Sequence, residues 1–113
     1  MKSIFILLVG LAFTVNVFAS DVSDVKIIRM MVDTAHGDKL FIKINKLPSN
    51  APDCSINGTW QYVMPLTSEL TKNTFMSMLL SAYMGDKTLR LQGTDDCKVF
   101  GSVETLKRVE FLN

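Results

Sequence analysis

The chain has 113 residues, is 48% hydrophobic, and carries 12 basic against 11 acidic side chains. That length holds one domain, and a net charge of +1 provides no basic stripe for a nucleic-acid partner. One histidine and two cysteines fall short of a tetrahedral zinc site, and there is no phosphate loop, GxSxG elbow or HExxH, so no metal or cofactor is expected.

Lys2 stands ahead of an unbroken apolar run from Ile4 to Phe13, and Val17 and Ala19 occupy the −3 and −1 positions of a small-residue cleavage site. Charge, apolar core and small-residue exit together predict a secretory signal peptide over residues 1–19. The competing reading is a membrane anchor. Asn16 interrupts the run, however, and a span wants about 20 clean apolar residues. Removing residues 1–19 leaves a formally neutral domain, 20–113, exported to the periplasm or secreted. A domain of about 94 residues is marginal without help. Export permits a disulfide, and Cys54 and Cys97 are the only cysteines. Closing the loop between them stabilises the fold by roughly 4 kcal/mol in the chain-entropy model. The alternative is two free buried thiols.

Ser20 to Asp24 reads as a polar lead-in. Val25 to Asp33 is a first strand whose alternation slips between Ile27 and Ile28, which predicts a bulge. Thr34 to Asp38 is a turn. Its His36, with Asp33 and Asp38, suits a turn better than a metal or acid/base site, because no second histidine completes it. Lys39 to Asn45 alternates as a second strand, with Leu40, Ile42 and Ile44 on one face and Phe41, Lys43 and Asn45 on the other.

Lys46 to Asn57 is a loop, and Asn57-Gly58-Thr59 reads as a turn although it matches a glycosylation pattern. Gly58 to Met64 forms a third strand, with Trp60, Tyr62 and Met64 inward and Gln61 and Val63 opposite; Trp60 is thus read as core. Thr67 to Met84 is the one helical pattern, with Phe75, Met76, Leu79, Leu80 and Tyr83 in a single stripe. Thr71 or Asn73 can cap its start, and Gly85 stands where a left-handed cap belongs. Lys87 to Gln92 is a fourth strand. The turn Gly93 to Cys97 holds Asp95 and Asp96, too few oxygens for calcium. Thr105 to Leu112 is a fifth strand of poor alternation, and the alternative for Ser102 to Thr105 is a helical turn.

The order β-β-β-α-β-β predicts a mainly β fold, an OB-fold-like five-stranded barrel with its helix between strands three and four. A ferredoxin-like fold wants a helix after its first strand, and an open sheet leaves more edges exposed. In an OB-fold, ligands lie over strands two and three, which nominates Phe41, Lys43, Gln61 and Arg90 as ligand-binding residues. A solvated surface, or an interface between copies involving Phe41 and Val63, is the plainer reading. No nucleophile–base pair can be named, so no enzyme activity is expected.

Cys54, Trp60, Pro65, the helix exit Leu79-Leu80-Ser81-Ala82-Tyr83-Met84-Gly85-Asp86-Lys87 and Cys97 follow a familiar sequence. Over residues 25–112 the chain resembles small exported bacterial proteins similar to the subtilase cytotoxin B subunit. That resemblance implies an OB-fold with one disulfide around the helix and, for the toxin subunits, pentamers that bind sialylated glycans. The loops that carry the glycan site differ here, so no sugar-contacting residue transfers. The expectation is an exported binding module for a glycan or another extracytoplasmic partner, or alternatively a homo-oligomeric structural protein without a small ligand.

Overall fold

The structure, a computed structural model, describes residues 19–35 and 37–112. It is mainly β, with one mixed sheet and one helix. The strands are β1 (Asp21–Val25), β2 (Ile27–Asp33), β3 (Lys39–Ile44), β4 (Tyr62–Pro65), β5 (Leu89–Gly93) and β6 (Glu104–Phe111), with helix α1 (Met76–Gly85) between β4 and β5. Their order in the sheet is β1-β5-β6-β4-β3-β2. All neighbours run antiparallel except β4 and β6, which are parallel.

Six strands replace the expected five because the polar lead-in is itself a strand. Val22 and Val25 are buried while Asp21, Ser23 and Asp24 remain at least partly exposed. Asp24 has φ 58°, and the register against β5 shifts between Val22 and Val25. An aspartate adopts the left-handed region more readily than most residues, so the chain bends here with little strain. At Lys26 it leaves β5 and at Ile27 it joins β3. The two ends of the strand order therefore lie one residue apart in the chain, and the sheet edges meet there. The bulge expected near Ile28 is present: Ile27 pairs with Ile44 and Arg29 with Lys43.

The inner face gathers Leu40, Ile42 and Ile44 of β3, Tyr62 and Met64 of β4, and Leu89 and Leu91 of β5. Each such side chain contributes about 1.5–3 kcal/mol on burial. Leu79 and Ala82 of α1 complete this core, with Phe75 and Met76 packed against it. The helical stripe is rotated from the expected one, and Leu80 and Tyr83 are 47% and 42% exposed. Small Ala82 lets the helix backbone approach the strands, which turns that side inward.

A π-helical turn, Leu70–Phe75, leads into α1. Its start is fastened by Ser68 and Thr71 rather than by Thr71 or Asn73 acting alone. The Thr71 amide donates to Ser68 Oγ at 3.2 Å and the Ser68 amide to Thr71 Oγ1 at 3.3 Å, a reciprocal cap. The left-handed residue at the other end is Asp86, φ 54°, one position beyond Gly85. Among the described residues no helix is long and apolar enough to cross a membrane.

Candidate binding face

On the outer side of β2, β3 and β4 the side chains alternate out of phase with the core. Arg29 and Met31, Phe41 and Lys43, and Val63 share that face by register. Phe41 and Val63, expected at the surface, are 2% and 0% exposed. They face away from the inner core as predicted, but Trp60, Val99, Phe100 and Val103 cover them. Phe100 meets Phe41 edge-on at 5.0 Å between ring centroids, a favoured aromatic geometry. These two residues therefore build a second, smaller core and are no free platform.

Gln61 is also buried. Its Oε1 accepts the Ile44 amide at 2.8 Å and its Nε2 donates to the Thr59 carbonyl at 3.4 Å. The side chain thus satisfies backbone groups where the β3–β4 ladder ends, and is already engaged.

Trp60 departs from its expected place. Regular pairing of β4 begins at Tyr62, so the inward face of Tyr62 and Met64 does not extend back to Trp60. Asn57 Oδ1 accepts the amides of Thr59 and Trp60, both at 2.9 Å, an Asx turn that swings the indole to the outer side. There it lies half-buried, 5.9 Å from the Phe41 ring. The turn reading of Asn57-Gly58-Thr59 agrees with these bonds, and Asn57 Nδ2 donates to Ser102 Oγ.

Arg29 was not anticipated. Its guanidinium carbon stands 5.0 Å over the Trp60 ring, a cation–π contact. Lys43, half-buried, is directly opposite Arg29 across the ladder. Like charges placed so are destabilising, and among the described residues neither cation has an acidic partner. The available sequence signal was the bulge at Ile28, which puts Arg29 on the outward phase beside Lys43.

Arg90 lies elsewhere, on β5, separated from β3 by β6 and β4. It is paired: Nη2 and Nε donate to Asp21 at 2.8 and 3.1 Å, and Glu110 is 3.8 Å away. The Arg90 hydrogen bonds hold the Asp21 carboxyl below its ordinary value, and Asp21 in turn raises Arg90. This group joins the β1, β5 and β6 surfaces and stands apart from the Trp60 face. Beside it a polar cavity of about 320 Å³ is lined by Asp21, Ser49, Asn50, Gln92 and Lys107, among others.

Cys54 and Cys97 form a disulfide with Cα atoms 6.1 Å apart. It ties the loop before β4 to the loop before β6, reinforced by Ile56 and Asn57 amides donating to the Ser102 carbonyl at 3.2 and 3.0 Å. Asp95 and Asp96 serve the second loop. Asp95, φ 72°, gives its amide to Glu104 Oε2, and Asp96 Oδ1 accepts the Lys98 amide. Among the described residues no group of three or more His, Cys, Asp or Glu side chains is arranged to hold a metal. His36 and the predicted signal segment through Phe18 fall outside the described residues. Comparison of the chain with family models, curated proteins and solved structures gives no match.

Proposed function

We propose that this chain is an exported, non-enzymatic binding module, an OB-fold whose outer β2–β3–β4 face engages a glycan through Arg29, Lys43 and Trp60. The strand order supports the fold. Taking β1 and β2 as one strand broken at Lys26 reduces six strands to five. The sequence β-β-β-α-β-β then closes through the parallel β4–β6 pair, as an OB barrel does. Export is supported by the signal-like first nineteen residues.

The observation that carries the binding reading is the unneutralised Arg29–Lys43 pair beside an indole. Two cations opposite each other are unfavourable in the free protein, and an anionic ligand removes that penalty. The guanidinium, with its N–H fork spent on no carboxylate, suits a planar carboxylate. The resemblance to toxin B subunits supports a sialylated glycan as that anion, although the residues named are this chain's own. On a glycan array the oxidised protein is expected to retain sialylated structures and lose them after desialylation. Arg29→Ala and Lys43→Ala should each weaken binding at least about tenfold, the effect of losing a charge-assisted contact of roughly 1.5 kcal/mol or more. A folded protein that ignores every sialylated structure excludes this reading.

Exposed apolar side chains favour a second reading, a homo-oligomeric structural protein. Ile28 and Val32 on β2 and Leu80, Tyr83 and Met84 on α1 are all more than one-third exposed. Native mass spectrometry decides it. A pentamer would agree with the toxin-like assembly, whereas a monomer at tens of micromolar would exclude the oligomer.

A further inference from the structure

The outer face has a core of its own, and that core depends on segments the barrel strands do not supply. Phe41, Val63 and Val103 are buried there beneath Trp60, Val99 and Phe100. None of the six belongs to the inner cluster, which is made by the opposite side of the sheet and by α1. Trp60, Val99 and Phe100 stand in two irregular segments, 46–61 and 94–103. These are joined by the Cys54–Cys97 bond and by three hydrogen bonds to Ser102. Three fully buried side chains are a small apolar area with which to hold two loops in place, since stabilisation scales with the area removed from water. Both cysteines are half-buried, outside the sealed inner core.

We propose that Cys54–Cys97 is a redox latch on the outer face. Reduction frees the two loops, uncovers Phe41 and Val63 and dismantles the Arg29–Trp60 stack, while the inner core keeps the sheet folded. The co-reactant is a dithiol. One of its thiolates attacks the sulfur of either cysteine and breaks the Cys54–Cys97 bond, giving a mixed disulfide. Its second thiolate then displaces the protein sulfur. The dithiol ends as a disulfide, having lost two protons and two electrons, and Cys54 and Cys97 end as thiols. The inference relies on the binding reading only for its consequence, that the ligand platform exists in the oxidised protein alone.

The test needs no ligand, because Trp60 is the only tryptophan and reports the outer core directly. The folded, oxidised protein is treated with a dithiol until alkylation and mass measurement show two free thiols. Trp60 emission should then shift to the red and its quenching by acrylamide should rise at least twofold. Amides of Ile42, Met64 and Leu91 should remain protected from hydrogen exchange. Unchanged Trp60 emission with both thiols free overturns the latch. So does loss of inner-strand protection together with the emission shift, which would make the disulfide a support of the whole fold. Cys54→Ser/Cys97→Ser gives the same reading without reductant if it folds, and reduction of the prefolded protein stands if it does not. Loss of glycan binding on reduction then joins this inference to the proposed function, whereas failure of glycan binding in the oxidised protein leaves the emission result intact.

Discussion

At Gly93 the end of β5 lies against the carboxyl group of Glu104, which is fully buried and accepts the Asp95 amide at 2.9 Å. A Cβ at Gly93 would overlap that carboxylate. The glutamate cannot simply move aside, because its position supports the turn at Asp95. Overpacking of this kind costs about 1–3 kcal/mol. Gly93→Ala should therefore lower the unfolding free energy from urea titration by that amount, and the loss should shrink when Glu104→Ala is present as well. Equal losses in the two backgrounds would show that the contact is not the cause. Nothing in the sequence marked this pair, since Gly93 reads as an ordinary turn residue and Glu104 stands just before the expected fifth strand. Burial of a glutamate is a tertiary fact, set here by the parallel register that aligns Glu104 with Tyr62.

The elements show a similar division. Strands with clear alternation, β3 above all, are where the sequence puts them, and the bulge at Ile28 was readable from two adjacent isoleucines. The misreadings fall where local rules compete. β1 was hidden because only two of its residues are buried and a left-handed aspartate breaks its period. Trp60 was misplaced because an Asx turn, not the strand, sets its direction. The helix phase was misjudged because Ala82 counts for little on a hydrophobicity scale but allows close packing. Its C-terminal cap moved by one residue for a related reason: Asp86 tolerates the left-handed region, and its amide donates to the Ala82 carbonyl. Asp86→Ala should cost about 1 kcal/mol through the left-handed penalty. Asp86→Gly should be close to neutral, since the Lys26–Asp86 ion pair is exposed and such pairs contribute little. Thermal or urea unfolding of the two variants checks this, and equal losses would assign the effect to the ion pair instead.

For the molecule as a whole, the response to alkaline pH should be set in part by Tyr62. It is fully buried, and desolvation pushes its hydroxyl well above the ordinary value of 10.0, while the Ser20 hydrogen bond opposes that shift. In the unfolded chain the same group ionises near 10.0, so above that pH the unfolded state binds fewer protons than the folded one. Stability from this group is complete below pH 10 and falls as the pH rises beyond it. Urea midpoints followed upward through that range should decline, and Tyr62→Phe should decline less steeply from a lower starting point. Identical slopes would show that Tyr62 ionises in the folded state as freely as in the unfolded one.

The split first strand also bears on how the chain acquires its shape. β2, β3 and β4 are neighbours both in sequence and in space, so this meander can form as soon as it is made. β1 has no neighbouring strand close in sequence, only a single bridge from Asp21 to Ser49. Its partner is β5, and the hydrogen bond from Gln92 to Asp21 spans 71 residues. Long-range pairings of this kind slow folding, because the loop must close before the contact rewards it. A chain that emerges N-terminus first can therefore tie β1 only at Asp21, through Ser49, until β5 has followed. Closure of the sheet thus draws on strands far apart in the chain: β1 must find β5, and β6, made last, must enter between β5 and β4.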